Sequence, residues 1–452
     1  MIDLLKRKKN LNKRLVALID GEHYPDVTHD AIQKLRDLFP GEVVGIIFLG
    51  GTEKLIMDDP EKYFGEKLFV IKDLDSDFRK ALNVFHPDIA YDLSDEPVVN
   101  YRIRMKIASY CMAAGCSYMG PDFLFEYSPK SLSISKPSIS IIGTGKRLGK
   151  TAISGYISKQ MVKNNIDVCV LAMGRGGPAQ PQVIKGGDVK ITPEFLLDLS
   201  HKGLHASSDY LEDALMSSIT TVGCRRCGGG FGGKIFLTNI KQGIKKVEQI
   251  DPHLAIVEGS GASIPDVKTD AAICVMGAYQ DWDSIIGYLG LYRIMVSDMV
   301  VITMCESPLA DQNKIDFLKQ QVALLNPSAK VFTSVFRPQP LQDIKGRQVF
   351  VAMTAKHNIE KEIKTYIEKQ FSCRVKYISF NLSNRKRLRR DLETAEGYDT
   401  ILTELKAASV DVLTDFAFSN EKLIVYMNNI PIMNDSIQFE QELLNIYGRI
   451  NK

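Results

Sequence analysis

Apolar and polar residues alternate along the first 130 residues in a pattern that predicts strands and helices in turn. The apolar runs that predict strands are residues 15–19, 43–49, 68–71, 89–91 and 117–119. The stretches with apolar side chains at helical spacing are residues 28–38, 77–85 and 98–114. Thr28 is the expected N-cap of the first helix, because its hydroxyl can accept from a free backbone N–H group. Such alternation predicts an open and mostly parallel α/β sheet.

Prolines and serines interrupt this pattern between residues 127 and 137 and predict a domain boundary there. A second series of elements follows, with predicted strands at 138–142, 168–172, 254–257, 272–276, 299–304, 330–335, 348–353 and 375–380 and predicted helices at 150–163 and 359–371. We therefore expect an N-terminal α/β domain over residues 1–130 and a second α/β domain over 138–452. Residues from about 346 onward would extend the second sheet; a small third lobe is the alternative.

Composition narrows the class of protein. With 452 residues, 45% hydrophobic and 25% charged, the chain is typical of a globular protein of two or three domains. A formal net charge of +3 means that only a local patch could attract nucleic acid or anionic lipid, and we expect neither partner. The basic N-terminus precedes only five apolar residues, too few for a signal peptide, and no apolar run is long enough to span a membrane. The eight cysteines then predict reduced thiols in a cytoplasmic protein.

The segment Gly143-Thr-Gly-Lys-Arg-Leu-Gly-Lys-Thr151 follows a predicted strand and opens a predicted helix. In that position backbone N–H groups and the positive end of the helix dipole converge on an anion, as in a P-loop. Lys150 would reach the β- and γ-phosphates of ATP, and the Thr151 hydroxyl would ligate Mg²⁺. The residues expected to bind the nucleotide are Thr144, Gly145, Lys146, Arg147, Leu148, Gly149, Lys150 and Thr151.

This turn departs from the strict P-loop pattern at one position. Thr144 stands where the pattern requires glycine, six residues before Lys150, and Gly143 comes one residue too early. The variant resembles the turn of dethiobiotin synthetase and its ATP-dependent relatives, which also have a Val-Glu-Gly turn similar to the one at Glu258. We expect Thr151 and Glu258 to be the metal ligands, since Glu258 ends an apolar strand at a flexible turn. A surface acid at the end of a strand is the alternative for Glu258.

Two glycine-rich segments that contain arginine are further candidates for anion binding. One, residues 173–180, follows the second strand of the P-loop unit and places Arg175 at the edge where parallel sheets bind ligands. The other, residues 223–234, has six glycines in its first eleven residues together with Arg225 and Arg226, and Lys234 follows them. A flexible loop would have the same composition. Arginine forks match phosphate oxygens. We expect Lys150, Arg175, Arg225 and Arg226 to be catalytic.

Three other features leave alternatives open. Cys224 and Cys227, with His201 and His205, could hold zinc, but their spacing matches no common zinc site, and the flanking arginines would lower the pKa of both thiols. Residues 20–23 form either an ordinary strand–turn or a polar group that faces the active site. The basic run at 385–390 is interpreted as a solvated helix face or part of an anion pocket, rather than as a nucleic-acid site.

Nearly the whole chain resembles the cyclic 2,3-diphosphoglycerate synthetase family of methanogenic archaea. The resemblance rests on residues 17–25, 143–151, 173–180, 224–233 and 257–261. It implies an enzyme that uses ATP and Mg²⁺ to join the two phosphates of 2,3-diphosphoglycerate into an internal anhydride, releasing ADP and phosphate. It also implies a product that accumulates as a thermoprotective solute in heat-loving members of the family. The cations available to hold the phosphates are Lys146, Arg147, Lys150, Arg175, Arg225, Arg226 and Lys234.

Two other functions compete with this interpretation. One is a different ligase or kinase of the dethiobiotin-synthetase kind, acting on a carboxylate or an amine. The other is a MinD-like ATPase switch that binds a partner protein. Such switches carry a lysine five residues before the P-loop lysine; here that position is Gly145, and Lys146 comes one residue later, which counts against a switch. We expect a homodimer, because symmetric dimers are the commonest oligomers.

Overall fold

The computed structural model describes residues 13–51, 59–187, 192–202, 209–354, 359–406 and 408–452. The chain forms two compact units. The first unit consists of Met1–Lys130, Gln280–Val296 and Leu324–Pro327, and the second consists of Ser131–Tyr279, Ser297–Ala323 and Ser328–Lys452. The sequence pattern does not predict that Gln280–Val296 groups with the N-terminal residues. The division into domains at residues 130 and 138 stays a prediction.

Strands and helices alternate along most of the chain. The strands are β1 (Arg14–Ile19), β2 (Glu42–Phe48), β3 (Leu68–Val70), β4 (Ile89–Asp92), β5 (Ser117–Met119), β6 (Leu124–Phe125), β7 (Leu132–Ser133), β8 (Ser138–Gly143), β9 (Val168–Gly174), β10 (Gln182–Ile184), β11 (Thr220–Cys227), β12 (Leu237–Thr238), β13 (Leu254–Gly259), β14 (Val267–Lys268), β15 (Ala271–Gly277), β16 (Met299–Thr303), β17 (Lys330–Pro340), β18 (Gln348–Ala352), β19 (Arg374–Ser379), β20 (Thr400–Glu404) and β21 (Leu423–Met433).

The helices follow the strands in most crossovers, as a parallel sheet requires. They are α1 (Pro25–Leu38), α2 (Pro60–Phe64), α3 (Leu74–Phe85), α4 (Tyr101–Ala113), α5 (Lys150–Lys163), α6 (Pro193–His201), α7 (Asp209–Ser217), α8 (Ile240–Ile250), α9 (Trp282–Gly287), α10 (Gly290–Met295), α11 (Gln312–Leu325), α12 (Glu360–Phe371), α13 (Arg385–Thr394), α14 (Asp415–Ser419) and α15 (Ser436–Ile450), with a π-helix at Ser409–Thr414. Within the described ranges, no helix is long and apolar enough to cross a membrane.

The sheet of the first unit has the strand order β3-β2-β1-β4-β5-β6, and all its pairs are parallel except β5 with β6. Helix α1 begins three residues earlier than the pattern predicts, at Pro25, with Tyr24 as its N-cap. Proline suits the first helical position, because its fixed φ is helical and it has no N–H group to leave unsatisfied. The prediction of Thr28 as the N-cap is therefore wrong: its N–H group already donates to the Tyr24 carbonyl oxygen within the first turn.

The large sheet of the second unit has the strand order β10-β11-β9-β13-β8-β15-β16-β17-β21-β20-β18-β19. Its strands are mostly parallel, with antiparallel pairing of β10 and β12 to β11 and of β17 to β21. Helix α5 buries Ile153, Ile157 and Met161 in the core against these strands. Each such side chain contributes about 1.5–3 kcal/mol of transfer free energy. The α/β class with a mostly parallel sheet is confirmed, and the C-terminal strands continue the same sheet.

Two long strands join the two halves of this sheet. Residues 330–333 of β17 pair in parallel with β16, whereas Ser334–Pro340 pair antiparallel with Met427–Met433 of β21. The earlier part of β21 pairs in parallel with β20. We call the strands of this sheet up to residue 333 the P-loop half-sheet. Strands β18–β20 with the start of β21 are the C-terminal half-sheet. The antiparallel segment, Ser334–Pro340 with Met427–Met433, is the ribbon. The ribbon is formed by the carboxyl-terminal parts of β17 and β21, one strand from each half. The carboxyl edges of both halves therefore border the same space.

Candidate nucleotide-binding site

The turn between β8 and α5 is held in place by its neighbours in the P-loop half-sheet. The Thr144 N–H group donates to the Val275 carbonyl oxygen of β15 at 3.1 Å, and the Thr303 hydroxyl donates to the Leu148 carbonyl oxygen at 2.8 Å. Gly149 has a φ of +83°, and a Cβ atom there would lie 2.2 Å from the ring of Phe336. Only glycine fits at this position, since other residues disfavour that backbone conformation and the ring leaves no space.

Lys150 is almost completely buried and folds back across the end of β8. A Cβ atom on Gly143 would lie 2.8 Å from Cδ of this lysine, so the glycine leaves room for the side chain. The Lys150 ammonium donates a 2.7 Å hydrogen bond to the carbonyl oxygen of Gly261, in the turn after β13. The lysine head is thus held at the carboxyl edge of the sheet, where the phosphates of a P-loop ligand bind.

Thr151 and Glu258 meet at the same edge. The Thr151 hydroxyl donates to Glu258 Oε1 at 3.0 Å, and the Glu258 side chain is buried at the end of β13. A hydroxyl and a carboxylate are oxygen ligands of the kind that Mg²⁺ prefers, so these two residues fit a magnesium ion together with the phosphates of a nucleotide. The assignment of both residues as metal ligands stays a prediction.

Arg226 and Arg175 approach the turn that Lys150 contacts. The Arg226 Nη2 atom donates to the Ser260 carbonyl oxygen at 2.6 Å. A Cβ atom on Gly261 would lie 2.7 Å from Arg175 Nη2 and 3.5 Å from Arg226 Nη2. The structure therefore brings three cations around the backbone of Ser260 and Gly261, although they belong to different strands and loops. Carbonyl oxygens offset part of the repulsion between the cations, and phosphate oxygens would do so more strongly.

Arg225 lies on the opposite face of β11 from Arg226, because successive side chains of a strand point to opposite sides. Its Nε atom donates to the Pro178 carbonyl oxygen at 3.0 Å, and its backbone N–H group donates to Asn239 Oδ1 at 2.8 Å. The Asn239 amide also donates to the Pro178 carbonyl oxygen. Arg225 thus fixes the loop that carries Arg175, instead of joining the other cations. The interpretation of residues 223–227 as part of a flexible loop is wrong, since they belong to β11.

Cys224 and Cys227 also lie on β11 but differ in environment. Cys224 is buried and Cys227 is exposed, and both are free thiols. Burial raises the pKa of Cys224 to about 12, so the expectation that the arginines lower it is wrong for this residue. His201 ends α6, and His205 lies outside the described residues. Across the described parts of the chain, no group of three or more His, Cys, Asp or Glu side chains could hold a metal ion.

Two residues that the sequence analysis did not single out support the P-loop from neighbouring strands. Tyr279, just after β15, places its hydroxyl within 3.4 Å of the Lys146 carbonyl oxygen and 3.5 Å of the Arg147 carbonyl oxygen. Thr303 ends the apolar strand β16 and is fully buried. The sequence signal available for Thr303 was its position as a polar residue at the end of an apolar run, the same signal that pointed to Glu258. No sequence signal points to Tyr279.

The cavity beside the P-loop has a volume of about 1630 Å³ and extends to the C-terminal half-sheet. One side of the cavity is lined by the P-loop turn and by residues of the neighbouring strands and turns: Lys146, Arg147, Leu148, Gly149, Lys150, Thr151, Arg175, Glu258 and Gly261. Thr354, Glu404, Asn428 and Asn429 line it at the carboxyl edge of the C-terminal half-sheet. The sequence analysis missed these polar residues. The basic run that begins at Arg385 forms α13; Arg385 lines the cavity and is paired with Asp411.

In the first unit, Asp20 caps the turn after β1. Its buried carboxylate accepts from the backbone N–H groups of Glu22 and His23, and from the N–H group of Asp95 in the loop after β4. The His23 ring lies 3.0 Å from the same carboxylate. These contacts explain the Asp-Gly-Glu-His segment as a structural turn within that unit.

The parallel sheet, the glycine-rich turn after β8 and the buried lysine at the start of α5 define a P-loop nucleoside triphosphatase fold in the second unit. Family comparisons agree: residues 138–335 match the P-loop domain of cyclic 2,3-diphosphoglycerate synthetase, residues 14–126 match its N-terminal domain, and residues 340–430 match its C-terminal domain. The chain belongs to the cyclic 2,3-diphosphoglycerate synthetase family.

Curated relatives of that name cover almost the full chain. The protein from Methanothermus fervidus is 45% identical over 431 residues, which cover 94% of each chain. The protein from Methanothermobacter thermautotrophicus is 43% identical over 438 residues, again with 94% of each chain covered. The protein from Rubrobacter xylanophilus is 41% identical and covers 93% of this chain and 94% of its own.

Proposed function

We propose that this protein is an ATP-dependent synthetase that closes 2,3-diphosphoglycerate into its cyclic phosphoanhydride and releases ADP and phosphate. The observation that carries the proposal is the convergence of Lys150, Arg175 and Arg226 on the turn at Ser260 and Gly261, beside the P-loop. The names of the curated relatives give independent support for this substrate and product.

The charge of the reactants explains why the site needs several cations. Two unit charges 4 Å apart repel by about 1 kcal/mol in water and by about 4 kcal/mol at an effective dielectric constant of 20. ATP and 2,3-diphosphoglycerate bring several such charges into contact. Lys150 would hold the γ-phosphate, and Arg175 and Arg226 would hold the acceptor phosphates beside it. Arginine suits this task because its fork can bind two phosphate oxygens at once.

The reaction then takes place in two transfers. In the first, an oxygen of one substrate phosphate attacks the γ-phosphorus of ATP, and the bond from that phosphorus to the bridging oxygen of ADP breaks. In the second, an oxygen of the other substrate phosphate attacks the substrate phosphorus that now carries the terminal phosphoryl group. The bond to that terminal group breaks, inorganic phosphate leaves, and the ring closes. No protein nucleophile is needed, because phosphoryl transfer depends mainly on positioning and charge stabilisation.

Thr151 and Glu258 would hold a magnesium ion on the nucleotide, and both are candidates by the chemistry of their oxygens. When bound, the ion supplies positive charge to the phosphates. The contact between the two side chains orients the Thr151 hydroxyl at the start of α5. Burial of Glu258 keeps its carboxylate in one position at the end of β13.

Phosphorus NMR of the purified protein with ATP, Mg²⁺ and 2,3-diphosphoglycerate tests the proposal. We expect an anhydride signal that depends on the acceptor and grows together with ADP and inorganic phosphate. A matched reaction uses 3-phosphoglycerate, which has a single phosphate and cannot form the ring. ATP cleavage at the same rate with and without 2,3-diphosphoglycerate would contradict the proposal and would favour a partner-dependent switch or a ligase for another acceptor.

The expected homodimer and the expected cytoplasmic location remain part of the proposal. Light scattering of the purified chain gives its mass in solution, to be compared with 50.5 kDa for one chain. A mass near one chain at micromolar concentration would contradict the dimer. The dimer is supported only by the frequency of two-fold symmetry among oligomers.

A further inference from the structure

The C-terminal half-sheet has a ligand-binding edge of its own. In open parallel sheets, ligands bind beyond the carboxyl ends of the strands. Strand β18 ends just before Thr354 and strand β20 ends at Glu404, and both residues line the cavity that contains the P-loop. Asn428 and Asn429 of β21 line it beside them. The P-loop accounts for one edge of this cavity, and the second edge needs its own explanation.

A buried carboxylate organises this second edge. Glu404 Oε2 accepts hydrogen bonds from the backbone N–H group and the hydroxyl of Thr354, at 3.0 and 2.8 Å. Glu404 Oε1 accepts from the Asn429 amide nitrogen at 2.8 Å. Glu404 is 7% exposed, so these contacts fix the position of its carboxylate. Oε1 thus has one partner and can accept a second hydrogen bond, whereas Oε2 already has two. The Asn429 amide keeps a carbonyl oxygen that can also accept one.

The charges at this edge do not favour a polyanion. Arg337 forms a two-pronged ion pair with Glu306, with both contacts at 2.7 Å. Lys406 is paired with Glu212 at 2.8 Å, and Arg385 is paired with Asp411. Lys361 and Lys369 also line the cavity, but both are exposed to solvent. A buried carboxylate in a wall whose cations are either paired or exposed to solvent repels phosphate groups and suits a neutral ligand with hydroxyl and amino groups.

The ribbon places this edge within reach of a nucleotide held by the P-loop. The Phe336 ring packs against Gly149, and Pro338, two residues further along β17, is the register partner of Asn429. Two residues of a strand span about 7 Å. The nucleoside of a nucleotide whose phosphates occupy the P-loop can therefore extend to Asn429 and Glu404.

We propose that the carboxyl edge of the C-terminal half-sheet binds the nucleoside of ATP, with Glu404, Asn428 and Asn429 as specificity-determining residues. The Glu404 carboxylate accepts from a ribose hydroxyl, and the asparagine amides bind the edge of the base. The inference rests on the proposed use of ATP. It assigns the neutral half of the nucleotide to one half-sheet and its phosphates to the other.

Binding measurements with ATP and with inorganic tripolyphosphate test this assignment, because tripolyphosphate carries the phosphates without the nucleoside. The variants are Asn429→Ala and Asn428→Ala. Asn445→Ala on the exposed face of α15 serves as the matched control. We expect Kd for ATP to rise about tenfold in each cavity variant, as for the loss of one hydrogen bond in a buried site, while Kd for tripolyphosphate changes less than about twofold. The control variant should bind both ligands like the wild type.

Two results would overturn the inference. Equal weakening of ATP and tripolyphosphate would show that the variants disturb the P-loop. Unchanged ATP affinity with a raised KM for 2,3-diphosphoglycerate would place the acceptor at this edge instead. If Asn429→Ala fails to fold because Glu404 loses its partner, Asn428→Ala still decides the question. Phosphorus NMR of product formation by the wild type, in the same buffer, tests the proposed function separately. A failure of the nucleoside assignment can therefore be distinguished from a failure of the proposed function.

Discussion

The Lys150 ammonium and the Gly261 carbonyl oxygen are joined by a 2.7 Å hydrogen bond between the P-loop and the turn after β13. The bond holds the lysine at the position where a P-loop lysine binds the terminal phosphates. It also links strand β13 to the start of α5. A bound nucleotide would offer this ammonium charged phosphate oxygens in place of a neutral carbonyl oxygen, and such charge-assisted hydrogen bonds are stronger.

Replacement of Lys150 should abolish turnover and leave the fold intact. In Lys150→Ala the charge that stabilises the transferred phosphoryl group is lost, and we expect the rate of ADP release to fall about a thousandfold or more. Initial rates of ADP release measure turnover, and the circular dichroism spectrum shows whether the fold is intact. Lys163→Ala is the control, since Lys163 is exposed at the other end of α5. A Lys150→Ala enzyme with near wild-type rates would rule out the assigned role.

Glu258→Gln should raise the concentration of Mg²⁺ needed for half-maximal activity. The amide keeps the size of the side chain but has no charge for the ion, and we expect an increase of about tenfold or more. Titration of the rate with Mg²⁺ at saturating ATP measures it. Glu393→Gln makes the same change on the exposed surface of α13 and should have no effect. Identical magnesium curves for Glu258→Gln and wild type would count against the ligand assignment.

Arg226→Ala should weaken the acceptor site more than Arg225→Ala. Arg226 contacts the Ser260 carbonyl oxygen beside the P-loop, whereas Arg225 contacts Pro178 on the other face of β11. Loss of a charged hydrogen-bond donor should raise KM for 2,3-diphosphoglycerate about tenfold to a hundredfold in Arg226→Ala. Arg226→Lys should restore part of the loss, because it restores the charge. Steady-state kinetics at varied 2,3-diphosphoglycerate concentration measure these KM values. A larger increase in Arg225→Ala than in Arg226→Ala would contradict the assignment of Arg226 to the acceptor site.

Gly149→Ala should destabilise the protein more than Gly187→Ala. The two glycines have almost the same φ, +83° and +82°. A Cβ atom at Gly149 would meet the Phe336 ring, whereas one at Gly187 would meet no atom of the described residues within 4 Å. We expect a loss of about 1 kcal/mol in the free energy of unfolding at Gly187 and about 2–4 kcal/mol at Gly149. Urea unfolding measures both. Adding Phe336→Ala to Gly149→Ala should recover the part of the lost unfolding free energy that is due to the clash with the ring. Equal losses in Gly149→Ala and Gly187→Ala would show that the ring moves aside without cost.

The two cysteines of β11 should differ in reactivity. Because burial raises the pKa of Cys224 to about 12, its thiol stays protonated near neutral pH, and iodoacetamide at pH 8 should label the exposed Cys227 first. The raised pKa also means that Cys224 favours the folded state below its ordinary pKa and that this contribution is lost as the pH rises towards about 12. Peptide mass spectrometry after timed labelling checks the order. Faster labelling of Cys224 in the folded protein would contradict it.

The P-loop and the acidic end of β13 could be predicted from the sequence because their signals are local. The turn from Gly143 to Thr151 contains its own glycines, lysine and hydroxyl, and Glu258 directly follows an apolar run. The separation of Arg225 from Arg226 was missed because the glycines after Cys227 made the whole segment resemble a loop. Had residues 220–227 been interpreted as a strand, alternation alone would have placed the two arginines on opposite faces.

The polar residues of the C-terminal half-sheet could not be predicted in the same way. Glu404, Thr354 and Asn429 meet only because three strands pair in a particular register, and such long-range pairing leaves no local pattern. The ribbon is another example, since β17 changes from parallel to antiparallel pairing after residue 333. The burial of Cys224 likewise depends on packing with Ile240 and Val247 of α8, which no charge pattern around it reveals.

The ribbon also sets the order in which the protein can be completed during synthesis. Ser334–Pro340 must wait for Met427–Met433, which are synthesised only after β18, β19 and β20. Until then, the P-loop half-sheet ends in a strand segment with unpaired backbone groups, an edge that other chains can join. A prematurely terminated chain would keep the whole P-loop turn yet lack one wall of the cavity, and it would be prone to aggregate.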